Sequence, residues 1–467
     1  MRDEGIERWA LAEFGHADIE DVRWRRRLVS MAGRAARGPA GRVTDTFRND
    51  AERQGAYGLL ESKEEVTPEA VRLALYEASA RRSAGESFVY CAVDGTSLNL
   101  ADHQGEKFGP IGVRSKRGRG LKVMNAALMS PKGVMLGVSS QQYWVRSERR
   151  RRKHRDKLPP EQKETGRWLD ALAQTRQVMS VHAPKTRCWF QLDREGDAWP
   201  LLLDAGKEGH WYTIRSCRNR RVTLADGSRS TVNEAVAAQS VITRYQLEVK
   251  GSAHRKPRKA NMEVRACTVT LKLRDKCTGK SFHHEVNVVQ ARERGTTPRG
   301  EKPIVWTLLT NHPIATKRDL TDVVLGYAMR WRIEELHRAW KSGACNVEQT
   351  QLRSTGAIIK WATILMAVAA RVERIKQLSR QEPERPATDE FTPIEIKAAA
   401  LLHFGKAGTT PLSNGAVPTI AEVTFWIAKI GGYTGRASSG GPPGSVVLAR
   451  GLADVRVAVQ ALKALAL

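Results

Sequence analysis

The 467-residue chain is expected to fold as an α/β protein, with a β-rich insertion in its central region and helical segments at both ends. Three observations predict this. Compact apolar runs end in an acid at Asp94 and again at Asp193, as buried strands leading out of a sheet do. Between about 217 and 303 the pattern becomes alternating, with Cys267, Val269, Leu271 and Leu273, then Val286 and Val288, which suits antiparallel strands. The flanks, 1–75 and 381–467, carry helix starts and helical spacing instead.

Taken in order, Asp18 is placed to cap a helix bearing Arg23, Arg25, Arg26 and Arg27, with Leu28 and Val29 facing inward. Thr67-Pro68-Glu69 joins a capping side chain to a first-turn proline, a strong helix start. A region of about 76–380 follows. Phe88 to Val93 reads as a buried strand ending at Asp94. A hairpin is expected next: Met124 to Met129, a turn at Ser130-Pro131-Lys132-Gly133, and a return over Val134 to Val138. A helix is expected near Thr165 to Val178, and Arg187 to Leu192 is a second strand ending in an acid, Asp193. After the insertion, Ile304 to Leu309 returns as a buried strand, and a long helix spans Ala357 to Leu378. The Pro- and acid-rich stretch Glu382 to Pro393 reads as a linker. Beyond it, Thr419 to Ile430 forms a helix stopped by Gly431-Gly432. In the last helix Leu452, Val455, Val459 and Leu462 make a seam. That seam suits pairing with a second chain or packing within its own subunit.

Composition narrows the function. Lysine and arginine total 77 against 50 acids, a formal charge of +27. Such a chain is drawn to polyanions, and counterion release from nucleic acid would supply much of its affinity. The six cysteines form no C-x-x-C pair and no zinc spacing, so reduced, buried thiols are expected. No apolar leader opens the chain. The longest apolar run, Trp361 to Ala370, is too short to span a bilayer and reads as a buried helix. The basic run Arg149 to Arg155 suits DNA tracking or a solvated loop equally well.

The segment Tyr327 to Lys341 carries the most chemistry. On a helix, Tyr327, Arg330, Glu334, His337 and Lys341 fall on one stripe, while Met329, Ile333, Leu336 and Trp340 form an apolar stripe beside it. A single charged stripe is more often a solvated face. Here it joins two strand-end aspartates, and three carboxylates held by rigid elements can bind a pair of Mg²⁺ ions for phosphoryl transfer.

Asp94-Gly95-Thr96-Ser97-Leu98, Leu192-Asp193-Arg194-Glu195 and Arg330 to Lys341 closely resemble the bacterial DDE cut-and-paste transposases of the insertion-sequence-four family. The family's Y-(2)-R-(3)-E-(6)-K signature is met by Tyr327, Arg330, Glu334 and Lys341. The resemblance implies a ribonuclease-H-like catalytic core, with Asp94, Asp193 and Glu334 binding two Mg²⁺ (or Mn²⁺). It also implies a nick, hairpin and hairpin-opening pathway followed by joining to target DNA. A flipped base would stack on Trp306, which without the resemblance would pass for a core tryptophan. Its phosphate would be gripped by Arg215, Tyr327 and Arg330. Lys341 would touch DNA phosphate, His337 a phosphate or the groups behind the site, and Arg23 and Arg27 the DNA from the N-terminal helices. The partners implied are transposon inverted-repeat ends, target DNA and a second copy in a synaptic homodimer, in the bacterial cytoplasm, with segment 381–467 holding the dimer. Relatives carry lysine where this chain has Cys217. A metal nuclease without strand transfer, or a non-catalytic DNA-binding derivative, are the alternative readings.

Overall fold

The twelve strands found among the described residues all join one mixed sheet. The computed structural model describes residues 4–102, 107–112, 118–146, 158–249, 257–405, 417–435 and 441–465. The basic run 149–155 lies outside them. In chain order the central strands are β1 (Phe88–Asn99), β2 (Gly109–Pro110), β3 (Arg119–Met129), β4 (Met135–Trp144), β5 (Arg187–Leu192) and β6 (Trp211–Arg215). β1, β3 and β4 form an antiparallel meander, and β5 and β6 run parallel to β1 on its other side. The expected hairpin is therefore present, with both arms longer than the apolar runs alone suggested.

The insertion supplies β7 (Arg221–Thr223), β8 (Arg229–Thr231), β9 (Thr243–Val249), β10 (Arg258–Arg274) and β11 (Ser281–Glu293). β12 (Val305–Thr310) pairs antiparallel with both β11 and β6, so the insertion extends the same sheet. Alternation along β10 slips once. Ala266 and Val269 are both buried, whereas Cys267, expected to share the inner face of Val269, is half-buried. A strand of 17 residues twists enough to change which face meets the core.

The N-terminal helices are α1 (Glu4–Phe14), α2 (Val22–Arg37), α3 (Val43–Thr46), α4 (Asp50–Glu61) and α5 (Pro68–Ser83). The cap of α2 is Asp21, not Asp18: its Oδ1 accepts the Arg23 N–H at 2.8 Å. Leu28 is buried as expected, but Val29 is only half-buried. α5 starts where Thr67-Pro68 placed it, with Thr67 accepting from Ala70 N. These helices share one continuous apolar core with the sheet.

The remaining helices are α6 (Glu164–His182), α7 (Trp199–Asp204), α8 (Val232–Ala237), α9 (Lys317–Met329), α10 (Trp331–Lys341), α11 (Thr355–Gln381), α12 (Pro393–Phe404), α13 (Ile420–Ile430) and α14 (Ser445–Leu465). α11 is long and apolar enough to cross a membrane, yet 83% of its most apolar window is buried inside the protein, which marks it as the central core helix. At its start Lys360 Nζ donates to the carbonyls of Leu59, Ser62 and Val66 at 3.0, 2.6 and 3.0 Å. At its far end Ile375 and Leu378 join a second core with α12, α13 and α14.

Segment 382–393 is not a free linker. Ala387 and Phe391 are buried, Ala387 N donates to Pro418 O, and Glu390 accepts from Arg374 Nε at 2.8 Å. Acids that look solvated in sequence find arginines here. The α14 seam also turns inward, with Val455 and Val459 each 3% exposed in that second core. Among the thiols, Cys91, Cys188 and Cys345 are buried, but Cys217 and Cys277 are exposed, contrary to expectation.

Candidate active site

Strand register builds the site. Val93 pairs with Leu192 across the parallel β1–β5 ladder, and Leu192 pairs with Ile214 across β5–β6. The next residues therefore stand abreast: Asp94 lies inside β1, which does not end there as expected but stays paired with β3 as far as Asn99, Asp193 lies just past the end of β5, and Arg215 is the last residue of β6. Asp94 is steadied by its Oδ1 accepting from Gly95 N at 2.8 Å, and Asp193 by accepting from Glu195 N at 2.7 Å. Parallel strand ends are rigid supports, which suits groups that must hold fixed positions.

The third acid arrives on α10. Segment 327–341 is not one uninterrupted α-helix: α9 gives way to α10 at Arg330 through tight turns from Tyr327 O to Arg330 N and from Arg330 O to Ile333 N. The apolar stripe works as expected, with Ile333, Leu336 and Trp340 fully buried. The polar stripe is not a solvated face. Arg330 is 9% exposed and bridges two acids, Nη1 to Asp94 Oδ2 at 3.1 Å and Nη2 to Glu334 Oε1 at 2.5 Å. One guanidinium thus ties β1 to α10.

Charge crowding follows from this packing. Burial is the largest influence on Asp94 and pushes its carboxyl up to about 7; Asp193 and Glu334 act in the same direction and Arg330 opposes them. Burial also raises the Tyr327 phenol, against Arg215 and Arg330. Tyr327 packs edge-on to Trp306 with ring centroids 5.5 Å apart. Trp306 is only half-buried, so it is not a sealed core tryptophan. Arg215 Nη2 reaches Val305 O at 3.3 Å, next to Trp306 in β12.

The other expected site residues fall further out. Lys341 Nζ lies 3.5 Å from Glu348, whose carboxylate also accepts from Asn99 N at the end of β1. His337 is 7% exposed and faces Asn125, not solvent; of the two contacts considered for it, only one behind the site is within reach. Arg23 and Arg27 are exposed on α2, Arg23 paired with Asp21 and Arg27 5.7 Å over Trp24. They are not part of the acidic cluster.

Sequence reasoning missed a buried polar chain behind α10. Gln141 Nε2 donates to Asn125 Oδ1, Asn125 Nδ2 donates to His337 Nε2, and Tyr76 OH donates to Gln141 O. Two amides in strands carry no motif, so only their register could have revealed them. Lys122, bonded to Ser97 Oγ at 2.9 Å, was missed for the same reason.

Residues 6–64 match the family model described as transposase DNA-binding. The match covers most of α1 and all of α2, α3 and α4, with the arginine cluster on α2. It supports a transposase that binds DNA, and with it a DNA-processing enzyme. Among the described residues, no group of three or more His, Cys, Asp or Glu is gathered into a metal cage. The donor set itself, carboxylate oxygens among which Asp193 and Glu334 add to the burial that raises Asp94, suits a hard divalent cation, provided that Arg330 turns aside from Asp94 and Glu334.

Proposed function

We propose that the protein is a DDE transposase of the cut-and-paste type. It would bind transposon inverted-repeat ends, pair them as a homodimer, cleave them through a nick, a hairpin and hairpin opening, and join the 3′ ends to target DNA. The observation that carries this reading is the meeting of Asp94 and Asp193 on adjacent parallel strands with Glu334, tied to Asp94 through Arg330, in a chain whose N-terminal helices match a transposase DNA-binding family. The order β4-β3-β1-β5-β6, three antiparallel strands followed by two parallel to the first, supports a ribonuclease-H-like core.

Asp94, Asp193 and Glu334 would hold two Mg²⁺ (Mn²⁺ substituting), which when bound stabilise both the entering and leaving oxygens of a phosphoryl transfer. The chain's own residues supply the rest. Arg215, Tyr327 and Arg330 form a donor cluster beside the acids that can grip one backbone phosphate. Trp306, only half-buried, can stack a base drawn out of the duplex. Lys341 can neutralise a further phosphate, and Arg23 and Arg27 can reach the duplex from α2. The enzyme would act on bacterial DNA in the cytoplasm.

The test uses the full chain, Mg²⁺, a linear fragment bearing the element's ends and a target plasmid. Joined products that vanish in Asp94→Asn are expected. Cleaved fragments that never join would favour a nuclease without strand transfer, and cleavage that survives Asp94→Asn would overturn the site.

A further inference from the structure

A cavity of about 320 Å³ lies where three parts of the molecule meet: α1 from the N-terminal helices, β4 and α11 from the core, and the docked turn 388–393. That volume falls in the range of small-molecule sites. Much of its wall is apolar, with Leu75, Leu136, Ala367 and Phe391 among the lining residues, and the Trp9 ring forms part of it. None of its lining residues is among the three acids or the residues that would serve them.

The charges in the wall do not balance. Its three carboxylates already have partners: Glu13 with Arg82, Glu390 with Arg374, and Asp389 with Arg385, which stands outside the cavity. Arg8 and Arg371 remain, and neither has a carboxylate within ion-pair distance among the described residues. Arg371 is 7% exposed, so most of the residue is covered. Its one recorded contact is the face of Trp9, 5.6 Å from the ring centroid. Glu395 lines the smaller adjoining void with Arg371, but its carboxylate is taken up by the cap at Thr392. A cation–π contact offsets only part of the cost of desolvating a guanidinium, and a buried charge normally finds an anion. Arg8, exposed on the same helix as Trp9, puts a second cation at the rim.

We propose that this cavity binds a small organic anion with a flat apolar body. One carboxylate or phosphate sits between Arg371 and Arg8, in charge-assisted hydrogen bonds, and the body lies against Trp9 and Phe391. Because α1 is one of the helices that match the DNA-binding family while α11 runs through the core, such a ligand joins the two across their boundary.

Isothermal titration of the full chain with 2-naphthoate and with uncharged 2-naphthamide tests this. One naphthoate per chain is expected, bound at least tenfold tighter than the amide, with most of that preference lost in Arg371→Gln and in Arg8→Gln. If Arg371→Gln fails to fold, Arg8→Gln, a surface change, carries the test alone. Equal affinity for acid and amide, a preference that survives the substitutions, or no naphthoate binding at about 1 mM would each overturn the proposal.

Discussion

Asn125 donates from Nδ2 to Nε2 of His337 at 3.0 Å, and this bond fixes the imidazole as a neutral acceptor one turn beyond Glu334. Burial drives the His337 pKa down to about 3, and Lys341 and Arg330 push the same way. In the unfolded chain the same ring titrates at its ordinary 6.5. Below that value the unfolded state therefore binds more protons than the folded one. The stability that His337 contributes is complete above pH 6.5 and is lost as the pH falls towards 3. Between pH 6.5 and 5.5 the loss is about 1 kcal/mol. The unfolding free energies of the native chain and of His337→Gln, from denaturant titrations, should converge over that interval by this amount; parallel pH profiles would show that the ring is not buried neutral.

Asp94→Asn keeps the shape of the side chain and removes one oxygen donor. End cleavage with Mg²⁺ should fall by several orders of magnitude, while DNA binding, for which the N-terminal helices match a DNA-binding family, should change by less than about threefold. Gel-shift and cleavage assays on one preparation separate the two.

Trp306→Ala removes a half-buried ring that meets Tyr327 edge-on. Stacking of a base on such a ring contributes roughly 1–3 kcal/mol, so hairpin formation should slow about tenfold to a hundredfold while the first nick is nearly unchanged. Time courses on end substrates resolve both products. Equal slowing of both would mean that Trp306 serves packing alone.

Lys360→Met leaves the carbonyls of Leu59, Ser62 and Val66 without their shared donor. A buried group left unpartnered costs about 1–3 kcal/mol, and three are left here, so a loss of at least about 2 kcal/mol is expected in urea denaturation. A change below about 0.5 kcal/mol would show that water or backbone movement satisfies them instead.

DNA affinity should decline steeply with salt, as expected for a chain of +27. Arg23→Ala and Arg27→Ala should each reduce the slope of log affinity against log salt by about one. Unchanged slopes would move the DNA face away from this side of α2.

The central strands could be read because their apolar runs are buried on both faces and stop at a charge, a pattern that survives without knowledge of what packs on them. Ile333, Leu336 and Trp340 could be read for the same reason. Position relative to other elements could not. Asp18 and Asp21 are both plausible caps, and only the path of the chain between α1 and α2 chooses Asp21. Segment 382–393 read as a linker because Arg374, the partner of Glu390, lies outside it on α11. His337 shares a helical stripe with Glu334, but α10 lies so close to the sheet that one residue of the stripe meets the acidic cluster while the other is covered by β3. Cys267 was misassigned because a two-residue period cannot report the twist of a long strand.

The three bonds from Lys360 have a mechanical consequence. They rivet the end of α4, the last helix of the segment matching the DNA-binding family, to the first turns of α11, whose other end closes the second core. A displacement of α4 would therefore reach α11 directly, and this 27-residue helix runs on to the second core that holds the C-terminal helices.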